Sequence, residues 1–333
     1  MSGCLRGRSY PMANLNQFSV YLYGWGKRPP TIKDLMGITR RLDRLGYYSI
    51  GFPHHMALPP APLFDDFGNR YLLDPLTVLP ALAAVTKNIR LGIHSLILPL
   101  YPPYHWAKTL ATLDVISGGR LIPGMCMGWN EADFRVMNAD HKHRARITDE
   151  QLEIITRLWT EDEVTFKGRF YDLDKVTLEP KPVQKPYPPI WYGGGLPSIP
   201  RAVKYAKYIL PAPMPAQEIA KEWRVPLKKA NEESGNSTGL SLLNFVAVVD
   251  DESKVKTQVV PRLEKCMRLT ATGVRPEEMA IVGTPETCAQ RVREFQEAGV
   301  SHFLLDFNFR GTASFGYLRR QVDLFAERVV PLI

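Results

Sequence analysis

Two adjacent histidines, His54 and His55, follow an apolar run that begins at Ser49 and has the length of a short strand. An imidazole at the end of a strand can accept or release a proton near neutral pH, which suits general acid–base chemistry. Adjacent strand residues point to opposite faces, so the two rings are not expected to share one metal ion. Loop histidines without a catalytic role give the same pattern, and the sequence leaves both interpretations open.

Two further polar residues, His94 and Ser95, interrupt the apolar run 91–99. Polar side chains within a buried strand need hydrogen-bond partners or a cavity to face. The pattern therefore favours a position in the wall of a cavity. The alternative is a core histidine that is bonded to a backbone carbonyl.

The run 120–128 contains Gly124 and Gly128 on either side of Met127, and Trp129 follows it directly. Glycine in a strand often marks the close approach of another backbone or of a flat ligand. Packing alone could explain such glycines, so this segment favours a ligand and a packing role about equally.

A glycine cluster, Gly193–Gly195, precedes a helix that is expected to begin after Ser198. Free N–H groups and the positive end of the dipole at a helix start attract anions. The cluster therefore predicts a phosphate site that includes Ser198. A tight turn capped by this serine is the alternative.

Other reactive patterns are missing or ambiguous. The sequence has no G-x-S-x-G elbow, no Walker loop and no H-E-x-x-H motif, and no metal site is predicted. Glu131 and Asp133 either shape the mouth of a pocket or serve as first-turn acids of a helix. His141 and His143 belong to a charged loop and are expected to be solvated.

These residues must be positioned by strands that alternate with amphipathic helices from Phe18 to the end of the chain. The predicted strands are 18–24, 49–55, 89–99, 120–128, 189–195, 301–308 and two between 208 and 273. The predicted helices include 31–47, 74–88, 105–117, 148–160 and 284–299. Thr31 is the predicted cap of the first, and Asp74 caps the second, with Pro75 in its first turn. Thr148 and Gln151 have the pattern of a capping box at the fourth. Roughly eight strand–helix pairs predict an α/β fold, a (β/α)8 TIM barrel, with a doubly wound open sheet as the alternative. The segment 163–180 is predicted to form a hairpin inserted between barrel units.

Length and composition agree with one such domain. The chain has 333 residues, of which 45% are apolar, and its net charge of +8 is spread along the sequence. That charge permits an anionic cofactor or substrate, but basic clusters interleaved with aromatic residues, typical of nucleic-acid binding, are missing. Four scattered cysteines suit a reducing cytoplasm, and no apolar run is long enough for a membrane span. Residues 1–12 are expected to be a disordered extension and 13–333 a single barrel domain.

The chain resembles the bacterial luciferase-like oxidoreductases from about Phe18 to Leu332. Three segments carry the resemblance together: 90–129, 148–194 and 282–300. The family fold is a (β/α)8 barrel that is usually dimeric. The resemblance therefore implies a homodimer with a flavin or deazaflavin in the barrel mouth.

The resemblance also implies roles for individual residues. His55 falls where the family tends to keep an active-site histidine, and a non-prolyl cis peptide bond is expected at or near His94-Ser95, beneath the cofactor ring. His54 occupies the place where many deazaflavin-using relatives have an acid, and His94 replaces a small residue. Gly128 and Trp129 would lie against the ring system or its side chain.

Met127 bears on which cofactor is used. Bacterial luciferase, similar in this stretch, has an arginine here that contacts the flavin phosphate. Relatives that use coenzyme F420 commonly have an aliphatic residue followed by Gly-Trp, which Met127-Gly128-Trp129 resembles. The segment 206–209 departs from the family's Ala-Asp-Gly-Trp pattern, so the phosphate contacts after Ser198 are expected to differ.

Three hypotheses follow. The first is an F420-dependent oxidoreductase that acts on a small organic substrate, with His55 as the acid–base group. The second is a monooxygenase that receives reduced FMN from a partner reductase and uses oxygen. The third is a barrel that has lost catalysis and only binds. The substrate is not specified, and Phe64 and Phe67 in the run 61–71 form either a lid over the mouth or a packed satellite cluster.

Overall fold

Eight parallel strands close into a barrel in the computed structural model, which describes residues 15–25, 29–57, 71–267 and 274–333. The predicted extension at 1–12, and Phe64 and Phe67 in the predicted lid, lie outside these residues. The prediction of a (β/α)8 barrel is confirmed. The open-sheet alternative is wrong, because the strand Tyr208–Leu210 pairs with the strand Gly239–Val248 and closes the ring.

The strands are mostly short and buried. They are β1 Phe18–Tyr21, β2 Ser49–Phe52, β3 Arg90–Ile97, β4 Leu121–Cys126, β5 Val164–Lys167, β6 Asp172–Val176, β7 Trp191–Gly193, β8 Tyr208–Leu210, β9 Gly239–Val248, β10 Ala280–Gly283 and β11 Val300–Asp306. The barrel order is β9-β11-β1-β2-β3-β4-β7-β8, and β8 pairs again with β9 to close the ring. The carboxyl ends of these eight strands therefore surround one mouth, where side chains distant in sequence meet.

The helices cover the outside of the barrel. They are α1 Ile32–Leu45, α2 Pro75–Ala83, α3 Pro103–Ser117, α4 Glu131–Val136, α5 Arg144–Thr160, α6 Ile199–Tyr205, α7 Ala216–Glu218, α8 Arg224–Ser234, α9 Val260–Met267, α10 Pro285–Ala298 and α11 Phe315–Leu324. Among the described residues, no helix has the length and apolar content needed to cross a membrane.

Helix starts follow local side-chain chemistry at two predicted positions. Thr31 and Asp34 form a capping box that starts α1, and Asp74 caps α2, in which Pro75 is the first residue. The predicted cap at Thr148 is wrong. The helix α5 already begins at Arg144, and the Thr148 hydroxyl donates to the Arg144 carbonyl 2.8 Å away, within the helix.

Two elements depart from a plain barrel. The predicted inserted hairpin is confirmed as the antiparallel pair β5–β6. The Glu150 carboxylate holds its turn by accepting the backbone N–H groups of Arg169, Phe170 and Tyr171 at 2.8–3.1 Å. The short strand β10 was not predicted; it pairs with the end of β9 that extends beyond β8.

An aromatic layer fills the lower half of the barrel. Trp191 lies between Tyr208 and His302, with ring centroids 4.9 and 4.7 Å from its own. The Ser19 hydroxyl lies 2.8 Å from His302 Nε2, and burial holds the pKa of His302 well below its ordinary value. The layer is therefore a packed floor in which His302 is uncharged.

Candidate active site

A cavity of about 590 Å³ opens at the carboxyl ends of the strands. This volume lies within the range of small-molecule and cofactor sites, roughly 300–1,000 Å³. Its lining residues are Tyr21, Tyr23, His54, His55, His94, Ser95, Ile97, Cys126, Met127, Gly128, Trp129, Gly193, Gly194, Gly195, Leu210, Pro211, Ala212, Pro213, Leu243, Leu304 and Arg310. All predicted site residues except Ser198 are among them.

His55 is fixed in the cavity wall by an acid from another part of the chain. Its Nδ1 lies 3.0 Å from Asp133 Oδ2, and the Asp133 side chain is fully buried. An ionised carboxylate only accepts hydrogen bonds, so this contact assigns the hydrogen to Nδ1 and leaves the Nε2 lone pair for a proton. His55 can therefore act as a proton acceptor or, once protonated, as a donor.

Asp133 is held by four donors. Besides His55, it accepts the backbone N–H groups of Met56 and Ala57 at 2.8 and 2.7 Å and the Asn130 amide at 3.0 Å. Burial raises the pKa of Asp133, but the hydrogen bonds from His55 and from the two backbone N–H groups outweigh it, so the net shift is downward. The sequence left Asp133 undecided between a mouth residue and a first-turn acid of a helix. It is both, because Asn130 caps α4 and α4 carries Asp133 to His55.

His54 has a different environment from its neighbour. Its side chain is buried against Trp106, with ring centroids 5.6 Å apart, and neither ring nitrogen has a hydrogen-bond partner among the described residues. Burial lowers the pKa of His54 to about 4. His54 is therefore uncharged at neutral pH, unlike the acid expected at this position in many deazaflavin-using relatives.

His94 occupies a niche made by glycines of three strands. A Cβ at Gly51 or at Gly92 would lie 2.4 Å from the His94 ring, and one at Gly124 would lie 1.9 Å from the Ile93 carbonyl oxygen. Gly124 thus permits a close backbone approach, which was one of the two predicted reasons for it. Burial lowers the pKa of His94 to about 3, so the ring stays neutral.

The peptide bond between His94 and Ser95 is cis, which confirms the prediction. The Tyr21 hydroxyl donates to the His94 carbonyl at 3.2 Å, and the His94 ring lies 5.0 Å from that of Trp191. The bond therefore lies between the aromatic floor and the open cavity.

The segment Met127–Trp129 forms one side of the mouth. Gly128 has a φ of +76°, and a Cβ there would lie 2.5 Å from Ile97, so both the backbone and the packing require glycine. Trp129 is 60% exposed, which leaves its ring accessible at the rim. The Arg144 guanidinium donates to the Gly128 carbonyl at 3.1 Å, so the first residue of α5 is joined to the mouth.

The glycines 193–195 reach the cavity, whereas Ser198 lies behind them. Ser198 is 2% exposed, and a Cβ at Gly194 would lie 2.4 Å from its hydroxyl oxygen. Ser198 makes no side-chain hydrogen bond as a cap of α6. The Ser198 side chain therefore packs against Gly194 and does not line the cavity.

Sequence reasoning missed the wall formed by β1 and by the loop after β11. Tyr23 lies between His55 and Arg310, with its ring centroid 6.5 Å from that of His55 and 5.4 Å from the Arg310 guanidinium carbon. Burial raises the pKa of Tyr23 to about 12. In the sequence, Asp306 and Arg310 are two charged residues at the end of an apolar strand. That pattern could have indicated this wall, but surface residues show the same pattern.

No cluster of three or more His, Cys, Asp or Glu side chains suited to a metal ion occurs within the ranges that the structure describes.

Comparison with known proteins decides the family. The family described as luciferase-like monooxygenase matches residues 15–277. The chain belongs to this family. It is accordingly an oxidoreductase, and its expected barrel fold agrees with the structure.

Similarity to individual relatives says less about the cofactor and substrate of this chain than the family model says about its family. The chain is 35% identical over 125 residues to an FMNH2-dependent dimethylsulfone monooxygenase of Pseudomonas putida, an alignment that covers 36% of this chain and 34% of that one. The chain thus spans only about a third of that relative's length in this alignment.

Solved structures share the fold over nearly the whole chain. The monooxygenase RslO1 from Streptomyces bottropensis superposes with a TM-score of 0.82 at 23% identity and covers 95% of this chain and 99% of its own. An F420-dependent secondary alcohol dehydrogenase, in complex with an F420-acetone adduct, has a TM-score of 0.76 at 19% identity and covers 95% and 98%. At these identities the likeness shows the fold alone.

Proposed function

We propose that this luciferase-like enzyme is an F420-dependent oxidoreductase that transfers a hydride to or from a small organic substrate. The observation that carries the proposal is the His55–Asp133 pair in the wall of an otherwise largely apolar cavity. F420, when bound, supplies hydride chemistry at its deazaflavin ring. The residues of the chain then have to bind the ring, orient the substrate and move one proton.

The cavity fits a flat cofactor by several observations. The glycines Gly128 and Gly193–Gly195 bring bare backbone to the wall, and the cis bond at His94-Ser95 lies below it. The ring nitrogens of His54 and His94 are buried without hydrogen-bond partners among the described residues. We propose Met127, Gly128, Trp129 and the glycine loop as contacts for the cofactor's ring and side chain, and His94 and Ser95 as the surface behind the ring.

His55 is proposed as the group that exchanges a proton with the substrate. If the substrate is a hydroxyl compound, His55 Nε2 would accept its O–H proton as the alcohol is oxidised. In the reverse direction, protonated His55 would donate that proton to the carbonyl oxygen. Asp133 would stabilise the positive charge that forms on the ring. General acid–base catalysis of this kind typically contributes about 10²- to 10⁴-fold to the rate.

A second candidate is a monooxygenase that uses reduced FMN supplied by a partner reductase. The similarity to the dimethylsulfone monooxygenase of Pseudomonas putida favours it. Met127 favours F420, because a methionine cannot form the ion pair to a flavin phosphate that an arginine provides. A homodimer, implied by the family resemblance, and a cytoplasmic location, suggested by the scattered cysteines, remain part of the proposal.

Parallel titration of the full chain with F420, oxidised FMN and anaerobically reduced FMN tests the proposal, with binding followed by absorbance and fluorescence. F420 is expected to bind at least tenfold more tightly than either form of FMN, a difference of about 1.4 kcal/mol. The variant Met127→Arg should reduce that preference by improving FMN binding. Preference of the unmodified chain for reduced FMN would replace the first candidate by the second, and binding of none of the three would overturn both.

A matched pair of variants tests His55 once turnover is measured. His55→Gln should lose turnover but keep cofactor binding. His143→Gln should keep both, because His143 forms a similar pair with Asp140, 2.6 Å away, in an exposed loop. Equal losses in the two variants would contradict the proposed role of His55.

A further inference from the structure

A second groove, of about 380 Å³, is lined by α11, by the helical segment that leads into α9 and by the end of β9. It shares no lining residue with the cavity at the mouth. Leu243 in the mouth and Val248 in the groove are five positions apart on β9, about 16 Å at the usual rise of a strand. An odd spacing also puts the two side chains on opposite faces of the strand. The groove is therefore a separate place on the molecule.

The groove is lined by four cations and only one carboxylate. The cations are Lys254, Arg262, Arg320 and Arg328, and the carboxylate is that of Asp250. Lys254 and Arg262 belong to one continuous helical segment, and Arg320 and Arg328 to another, each pair eight residues apart. This spacing places both members of a pair on one side of their helix. Like charges on two helices that line one groove repel each other and create a local positive potential.

The arginines of the groove differ from others in the chain by their lack of carboxylate partners. Lys254 pairs with Asp250, with Nζ 2.5 Å from Oδ1, whereas Arg320 and Arg328 form neither a salt bridge nor a side-chain hydrogen bond among the described residues. Elsewhere on the surface Arg157 pairs with Glu161 at 2.8 Å. The N–H groups of Arg320 and Arg328 are therefore available to an anion.

One aromatic ring orients two of these guanidinium groups. The guanidinium carbons of Arg262 and Arg320 lie 4.9 and 5.7 Å from the ring centroid of Tyr317. Arg262 also hydrogen-bonds the Tyr317 hydroxyl, which uses part of its set of five N–H donors. Stacking on a ring leaves the in-plane N–H groups of a guanidinium able to form paired bonds to phosphate or carboxylate oxygens.

The back of the groove is fixed by a buried amide. The Gln321 side chain accepts the Val248 N–H at 2.7 Å and donates to the Val248 carbonyl at 3.0 Å, and Gln321 is only 3% exposed. These two bonds join α11 to β9. The folded chain therefore holds the groove open without help from a ligand.

We propose that this groove binds a small multivalent anion that carries phosphate or carboxylate groups, with Arg262, Arg320 and Arg328 as its ligands. Such an anion would bridge the two helical segments and offset the repulsion between them. The volume of the groove lies within the range of small-molecule sites. The proposal does not depend on which cofactor the mouth binds, because the two sites share no residue.

Calorimetric titration of the full chain with pyrophosphate, citrate and acetate, at one ionic strength, tests the proposal. Pyrophosphate or citrate should bind at one site per chain at least tenfold more tightly than acetate, and the tighter of the two identifies phosphate or carboxylate as the preferred group. Arg320→Gln and Arg328→Gln should each weaken binding of that anion about 3- to 10-fold, as expected for loss of a partly exposed ion pair. Asp250→Asn should strengthen binding, because it removes the one repelling carboxylate and frees Lys254.

A matched control separates a built site from general attraction to a basic surface. Arg319→Gln removes the same charge from an exposed position beside Arg320 that does not line the groove, and it should change affinity less than twofold. The tighter anion should also raise the Tm of the unmodified chain and of Arg319→Gln, but not that of the double variant at 320 and 328.

Three results would overturn the proposal. The first is that pyrophosphate and citrate bind no more tightly than acetate. The second is that Arg319→Gln loses as much affinity as Arg320→Gln, since this would show unspecific attraction. The third is full retention of anion binding in the double variant, since this would place the anion elsewhere, for example at the mouth.

Discussion

The niche of His94 offers a quantitative test of the site geometry through Gly92. A Cβ at Gly92 would lie 2.4, 3.1 and 3.2 Å from Nε2, Cε1 and Cδ2 of the His94 ring, which are its three nearest neighbours. The ring is only 7% exposed and lies 5.0 Å from that of Trp191, so it has little space into which to turn. Gly92→Ala should therefore lower the free energy of unfolding by about 1–3 kcal/mol, the usual cost of overpacking.

The second substitution, His94→Ala, identifies the cause of that loss. If the clash with the ring is responsible, Gly92→Ala should cost less than about 0.5 kcal/mol once His94 is alanine, and the cycle should show a coupling of about 1–3 kcal/mol. Urea unfolding of the four proteins, followed by circular dichroism, gives the required free energies.

Two other glycines serve as controls. Gly124→Ala should be destabilising whether or not His94 is present, because its Cβ would lie 1.9 Å from the Ile93 carbonyl oxygen. Gly37→Ala, in α1 with no atom within 4 Å of the added Cβ, should stabilise by roughly 0.5–1 kcal/mol through helix propensity. An equal cost for Gly92→Ala with and without His94 would refute the reasoning.

Three further outcomes are expected. Asp133→Asn should lower kcat roughly 10- to 100-fold and alter the pH–rate profile without weakening cofactor binding. The control Asp140→Asn, in the exposed His143 pair, should change neither kcat nor the pH–rate profile. An unchanged pH–rate profile in both variants would contradict the positioning role of Asp133. The free energy of unfolding should fall as the pH drops from about 6.5 towards 3, by up to about 1.4 kcal/mol per pH unit for each of His94 and His54, because these histidines bind protons in the unfolded chain but not when buried. Asp306, whose burial raises its pKa to about 6, opposes this dependence. Urea unfolding at pH 7, 6 and 5 should show a weaker dependence on pH for His94→Gln than for the unmodified chain. Glu150→Gln should speed hydrogen exchange of the amides of residues 169–171, because the carboxylate that accepts them is lost; unchanged exchange would show that the turn does not depend on it.

The sequence was sufficient for the elements whose signals are local. Alternating apolar runs predicted the barrel strands, and Thr31 and Asp74 marked the helix starts that the structure has. Thr148 failed because Thr-x-x-Gln also occurs inside helices: the hydroxyl bonds back to the Arg144 carbonyl and the Gln151 amide donates to the Tyr101 carbonyl at 2.8 Å.

Contacts between distant segments were beyond such reasoning. The partner of His55 lies 78 residues away, and the strand order β2-β3-β4 brings the ends of β2 and β4 close enough for Asp133 to reach it. Gly51, Gly92 and Gly124 are scattered in sequence, and their shared purpose becomes visible only with the His94 ring among them. The cis bond was predictable because the family resemblance, rather than residue propensity, pointed to it.

The three histidines at the mouth differ in burial and in hydrogen-bond partners. The pKa of His54 falls to about 4 because burial outweighs the opposing charges of Asp74 and Asp133, and the pKa of His94 falls to about 3 because of burial alone. Both are therefore neutral throughout the physiological range and can only donate or accept hydrogen bonds. His55 differs because its Nδ1 lies 3.0 Å from the Asp133 carboxylate, a contact that fixes the orientation of the ring. A carboxylate hydrogen-bonded to the His54 or the His94 ring would create a second proton carrier. Neither His54 nor His94 has a hydrogen-bond partner for its ring nitrogens among the described residues, which supports the proposal that His55 exchanges the proton.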